Sequence, residues 1–436
     1  MALKIRSSKL IHGIQIKHSN EELRISQLAD DTTLFLKGAN DVQNALNIVT
    51  LFGKHSGLKL NSNKTEAMWI GKLALNHNKP GNIAWRSSPI KALGAYFGTN
   101  VDECNELNWN NKLKQCNSII ENWNKHKLTF YGKIQVINSI IIPKFVFLFQ
   151  SLLVPKKQIV EINKLIFKFL WNNKREKIKR SVITGPKSKG GLGMIDLDAF
   201  ITSLKLKWIK SLIEKQNDKA HWQIIPKYFL NRYGNNYLIF HMNLDSIRSI
   251  DTSHISDYYK NLLEIWIKAK NNDEINLKTF DDIRKQLIWG NKFIKHNRKC
   301  IIFKNWVNSN ILFINDIINK NGYVCEETIC NKLNLKINWI AETHTLKQCI
   351  PKAWLNILTS ERSIKTKVKT KLETTIFNTQ FNSIKNKEVY QIIVNKKFDE
   401  PYIHKYWNEL LHHKANWSTI YEFINNIYDN RIKQFK

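Results

Sequence analysis

The chain has 436 residues, 43% of them hydrophobic, and its 68 Lys and Arg against 36 Asp and Glu give a formal net charge of +32. That length fits two or three domains, and the apolar content excludes a chain too polar to bury real cores. The positive charge runs through the whole sequence and suits a polyanion partner, although heavy use of Lys, Asn and Ile is also what an AT-rich coding sequence produces.

Met1–Asn20 has no apolar core of the length a secretory signal requires. Six cysteines then fit reduced thiols inside a cell, in the nucleus or cytoplasm. Leu23–Leu28 and Thr32–Leu36 read as two short strands flanking Ala29-Asp30-Asp31. Two adjacent carboxylates at a hairpin tip repel each other and suit a divalent cation; Mg²⁺ takes hard oxygens, usually one or two carboxylates plus substrate phosphates. The alternative is a solvated Asp-Asp turn. Asp41–His55 predicts a helix with Val42, Ala45, Leu46, Val49 and Phe52 on one face, ended by Gly53 and Gly57. Lys64–Gly71 and Leu93–Phe97 read as further strands, so residues 1–100 form an α+β segment.

From Asn105 the periods become helical. Trp109, Leu113, Cys116, Ile119, Ile120 and Trp123 share one spacing, and Ile159, Ile162, Leu165, Ile166 and Phe169 another. Val136–Val154 is long and apolar enough to be weighed as a membrane span, but its polar residues and Pro143 favour a buried, proline-broken helix. Lys156, Lys157, Lys164, Lys168, Lys174, Arg175, Lys177, Lys179 and Arg180 crowd the faces and loop that follow. Phe167, Phe169 and Trp171 among them suit a nucleic-acid groove or, by their helical period, a core. Gly185–Gly193 lacks the spacing of a nucleotide-binding P-loop and reads as a basic connector before a helix at Leu197–Glu214. Further on, Asn235–Lys299 and Asn319–Trp354 read as small helical units, Lys365–Lys371 as a linker, and Lys387–Val394 and Tyr406–Tyr428 as helices. Cys325, Cys330, His344 and Cys349 are spaced loosely like zinc ligands. Cys330 equally fits an apolar helical position beside Ile329 and Leu333, so zinc is not expected.

Several segments in order resemble non-LTR (LINE-type) retrotransposon reverse transcriptases. They are Ala29-Asp30-Asp31; Gly57, Leu58, Asn61, Lys64 and Thr65; Ile90–Gly98; Leu128–Pro143; and Gly190–Leu197. Leu28 stands where that family usually carries an aromatic residue. The resemblance implies a partial palm of β-hairpins with helix over 1–100, a helical thumb and basic connector over 101–215, and a helical C-terminal region over 216–436. It also implies RNA-directed DNA synthesis. Asp30 and Asp31 would bind Mg²⁺ or Mn²⁺, Lys64 would act on the leaving pyrophosphate, and Gly94, Ala95, Tyr96 and Phe97 would steady the primer end. Lys133, Lys174, Arg175, Lys177, Lys179 and Arg180 would track nucleic acid. The implied partners are an RNA template, primer DNA and their duplex, with no membrane. The family's fingers and a third metal-binding aspartate are expected upstream of Met1, so a binding remnant without catalysis is the second expectation.

Overall fold

The computed structural model describes residues 1–16, 21–214, 221–271, 277–319, 321–333, 339–360, 372, 374–399, 402–412 and 414–426. The architecture is α+β, mostly helical, and every sheet among the described residues has two strands. Packing divides the chain into two compact units: Met1–Leu148 with Val154–Arg175, and Phe149–Leu153 with Glu176–Lys436.

The first unit opens with α1 (Ala2–Ser7), followed by β1 (Ile14–Gln15) antiparallel to β2 (Glu22–Leu23). Next, β3 (Ile25–Leu28) pairs antiparallel with β4 (Asp31–Leu34), and α2 (Ala39–Ser56) follows. Ile5, Ile11, Ile25 and Ala45 form a small core beneath this hairpin, with Leu34, Ile48 and Val49 around it. Arg24 locks α1 to the strands: its guanidinium donates to the carbonyls of Arg6 and Ser8, both at 2.7 Å, and pairs with Glu22. The strands are therefore offset from the expected runs, since Leu23 belongs to β2 and Asp31 opens β4.

Gly53 does not end α2. The helix runs on to Ser56, and Gly57 caps it at φ +75° by donating to the Gly53 carbonyl. Gly53 is instead needed for space, because a Cβ there would lie 2.4 Å from the Leu58 carbonyl oxygen where the chain doubles back.

The expected strand Lys64–Gly71 shrinks to β5 (Glu66–Ala67), parallel to β6 (Ala84–Trp85), with Gly71–Leu73 in a 3₁₀ turn. Trp69 and Trp85 pack 4.7 Å apart beside that pair. The expected strand Leu93–Phe97 divides. Leu93 (φ +48°) and Gly94 (φ +87°) form a turn between β7 (Ile90–Ala92) and β8 (Ala95–Phe97). Two positive φ values in a two-residue loop match the natural twist of a hairpin.

Helix α3 begins at Val101, earlier than expected, because Asn100 caps the amides of Asp102 and Glu103; it ends at Asn124. The run Phe130–Ser151 contains α4 (Phe130–Val136), a π turn at Ile137–Ile141, a 3₁₀ turn at Ile142–Phe145 and α5 (Val146–Ser151). Pro143 lacks an N–H and would strike the carbonyl of Ser139 in a regular helix, which accounts for the widened turn. Among the described residues this is the one helix long and apolar enough to cross a membrane, and 50% of its apolar window is buried inside the protein. Helix α6 (Lys156–Trp171) buries Ile162, Ile166, Phe167, Phe169 and Leu170, so Phe167 and Phe169 are core residues.

The second unit holds the larger core. After α7 (Arg180–Thr184), Gly185–Gly193 folds tightly. A Cβ on Gly185 would meet the Phe398 ring, and one on Gly190 the ring of Tyr421. Helix α8 (Leu197–Glu214) has the expected bounds, with the Asp196 carboxylate accepting from the Ala199 amide at its start. It is buried on most sides, with Leu204, Leu206, Ile209 and Leu212 in the core and Ser203 and Lys205 buried as well.

Asn235–Lys299 is less helical than expected. After α9 (Ile224–Leu230) come 3₁₀ turns, α10 (Asp257–Lys270), the short α11 (Phe280–Arg284) and a hairpin of β9 (Lys295–His296) with β10 (Lys299–Cys300). Helix α12 (Lys304–Asn308) precedes α13 (Glu326–Leu333), α14 (Trp339–Cys349) and α15 (Lys352–Ser360). A hairpin of β11 (Thr375–Ile376) and β12 (Thr379–Gln380) leads to α16 (Asn386–Lys397). Tyr406–Tyr428, expected as one helix, holds two: α17 (Tyr402–Leu410) and α18 (Trp417–Asn426), parted where His412 takes φ +53°. Residues 427–428 and the expected linker Lys365–Lys371 lie outside the described residues.

Candidate functional site

Register fixes the Asp30–Asp31 hairpin. Ile25 faces Leu34, Ser26 faces Thr33, Gln27 faces Thr32 and Leu28 faces Asp31, leaving Ala29 and Asp30 as the two-residue loop. Ile25 and Leu34 anchor the base of the hairpin in the core, so its tip stands clear. Ala29 takes φ +51°, a region that costs a residue with a Cβ about 1–2 kcal/mol, and its carbonyl accepts from Gln27 Nε2 at 3.3 Å. Asp30 and Asp31 are both exposed, and neither carboxylate makes a hydrogen bond or ion pair with the described residues. Adjacent, unpaired carboxylates on a chain of net charge +32 form a local concentration of negative charge. Such a pair fits a Mg²⁺ ion that draws its other ligands from phosphate and water. Among the described residues no group of three or more His, Cys, Asp or Glu side chains is placed to hold a metal.

Lys64 lies in an exposed turn, where its amide donates to Asn61 and the Thr65 hydroxyl donates to the Asn61 carbonyl at 2.8 Å. Asn61, Lys64 and Thr65 thus form one local turn motif, which explains their spacing in the sequence. Of the four residues in the β7–β8 hairpin, Gly94 sits in the turn, Ala95 is buried, Tyr96 is half-buried and Phe97 is exposed. Asn108, on α3, pins that hairpin. Its Oδ1 accepts from the Tyr96 amide at 2.7 Å and its Nδ2 donates to the Tyr96 carbonyl at 2.9 Å. Sequence reasoning missed Asn108, although a polar residue one turn after the apolar Cys104 on the same helical stripe is the signal that betrays it.

The basic residues divide in two. Lys174, Arg175, Lys177, Lys179 and Arg180 are all exposed. Arg180 is tied to Glu176, its guanidinium donating at 2.5 and 2.9 Å, and this pairing raises the Arg180 pKa and lowers that of Glu176. Lys133, expected to track nucleic acid, is turned inward. It is 5% exposed, and its ammonium donates to the Phe169 carbonyl at 2.8 Å and to Asn172 Oδ1 at the end of α6. Burial lowers its pKa, and the charge serves the helix C-terminus instead of a ligand.

Lys205 repeats the pattern in the second unit. It is fully buried and donates to the carbonyls of Leu152 at 2.7 Å and Gln150 at 3.2 Å, with its ammonium 4.4 Å from the Tyr258 ring centroid. All six cysteines are free. Cys349 Sγ lies 4.0 Å from His296 Nδ1, a histidine outside the finger-like spacing.

No protein-family model matches the chain. It is similar to the "Transposon TX1 uncharacterized 149 kDa protein" of Xenopus laevis, with 22% identity over 269 residues, covering 59% of this chain. The match spans 20% of that protein's own length.

Proposed function

We propose that this chain is part of a transposon-derived, RNA-directed DNA polymerase of the non-LTR type, and that the β3–β4 hairpin carries its metal-binding carboxylates. The observation that carries this reading is the hairpin tip: two exposed, unpaired aspartates held in register beyond a strained Ala29. Strain of this kind clusters at working sites. Similarity to a transposon protein supports the origin. Asp30 and Asp31 would hold Mg²⁺ or Mn²⁺, which when bound supplies charge neutralisation at phosphate oxygens during nucleotidyl transfer. Lys64 is exposed and offers an ammonium to a leaving pyrophosphate. The Asn108-pinned hairpin offers Tyr96 and Phe97 as a rigid rest for a primer end, and the exposed run Lys174–Lys179 offers charge to the duplex backbone.

A second reading, an RNA- or hybrid-binding protein without catalysis, draws support from the carboxylate count, since among the described residues no group of three or more metal-ligating side chains joins Asp30 and Asp31 at the tip. Primer extension on an RNA template with Mg²⁺ separates the two. Synthesis that Asp30→Ala and Asp31→Ala both abolish supports the polymerase. Hybrid binding without any synthesis supports the second reading, and neither binding nor synthesis overturns both.

A further inference from the structure

We propose that the outer face of α17 is a self-association surface, on which two copies of this chain pair their α17 helices antiparallel. The inner side of the helix is already covered. His404 is 3% exposed, stacks on Trp417 with ring centroids 4.5 Å apart and planes within 6°, and meets the Tyr421 hydroxyl through Nε2 at 2.6 Å. The outer side is not. Tyr402, Tyr406 and Leu410 recur every four residues, so they form one stripe, and they are 77%, 47% and 54% exposed.

Charge selects the occupant. The segment Tyr402–Asn426 carries two lysines, Lys405 and Lys414, and two glutamates, Glu409 and Glu422, so it is formally neutral within a chain of +32. A polyanion would find little to hold it there. A second, equally cationic copy would meet no net repulsion from this segment. The stripe is also self-complementary. With a two-fold axis at Tyr406, Tyr402 of one copy meets Leu410 of the other, and Tyr406 meets its own mate. Lys405 and Glu409, which flank the stripe with their charged groups 3.9 Å apart within one helix, then lie on the same side as Glu409 and Lys405 of the second copy, offset by two residues or ~3 Å along the axis, a gap their long side chains can span.

Sedimentation of the full chain against concentration and salt is the test. Self-association is expected to strengthen with salt, because the apolar contact persists while repulsion between like-charged bodies is screened beyond ~8 Å at physiological ionic strength. Nucleic-acid binding has the opposite salt dependence, so failure here leaves the polymerase reading untouched. Tyr406→Asp should weaken the dimer at least about tenfold, with circular dichroism and hybrid affinity unchanged. Lys405→Glu and Glu409→Lys should each weaken it about two- to fivefold alone and associate with each other when mixed. A chain monomeric at all micromolar concentrations overturns the proposal. So do a dimer indifferent to Tyr406→Asp, charge variants that fail to rescue one another, and vesicle binding lost in Tyr406→Asp without a dimer.

Discussion

Neutralising the exposed basic run between α6 and α7 should flatten the salt dependence of nucleic-acid binding. Lys174, Arg175, Lys177 and Lys179 are exposed and none is in an ion pair among the described residues, whereas Arg180 is already matched by Glu176. The variant K174Q/R175Q/K177Q/K179Q therefore removes four available cations while leaving the Arg180–Glu176 pair intact. Each phosphate contact on a duplex contributes about 0.9 to the slope of log affinity against log salt. Four contacts should lower the slope by about 3.6, so the affinity gap between wild type and variant should narrow roughly a hundredfold between 50 and 200 mM salt. Fluorescence anisotropy on a labelled RNA–DNA hybrid measures both lines. Parallel lines, with the variant as salt-sensitive as wild type, would refute the assignment of this run to phosphate contact.

Three further outcomes are expected. Burial pushes the Lys205 ammonium down to about 7, whereas it titrates near ~10.4 in the unfolded chain. Between those values the unfolded state binds more protons, so stability should rise by about 2 kcal/mol from pH 7 to 9. Lys205→Met should remove that rise, as denaturant titrations at the two pH values would reveal. Asn108→Ala leaves the Tyr96 amide and carbonyl without their partner, which should cost about 2–3 kcal/mol. Hydrogen exchange at Tyr96 should then accelerate while exchange within α6 does not. Gly53→Ala should destabilise the first unit although it lies in a helix interior, where the change ordinarily gains up to about 1 kcal/mol, because the new methyl would meet the Leu58 carbonyl. A higher melting temperature would show that the chain reversal there yields easily.

Features that depend on local chemistry were legible in the sequence. Helix α8 matched its expected bounds because an N-capping aspartate opens it and apolar residues recur along its whole length. The Asp30–Asp31 hairpin matched in kind because two β-prone runs flank a two-residue loop. What escaped depends on distant partners. The parallel pairing of Glu66–Ala67 with Ala84–Trp85 joins segments separated by a loop with no strand signal. Lys133 reads as one more cation of a strongly basic chain, and only the carbonyl of Phe169, 36 residues on, turns it inward. Gly53 looks like a helix terminator until the return of the chain at Leu58 shows that it supplies room.

Lysines turned onto main-chain carbonyls recur: Lys133 at Phe169, Lys205 at Gln150 and Leu152, Lys210 at Ile384 and Lys270 at His241 and Met242. They divide the amines of this protein into two chemical populations. Those on the outer surface are open to acylating reagents and give way to a bound polyanion. Lys133 and Lys205 are shielded whatever is bound and become reactive only when the main chain they hold comes apart. An amine-labelling map of the intact protein should therefore separate ligand contact from unfolding residue by residue, with Lys174–Lys179 protected by nucleic acid and Lys133 and Lys205 by the fold itself.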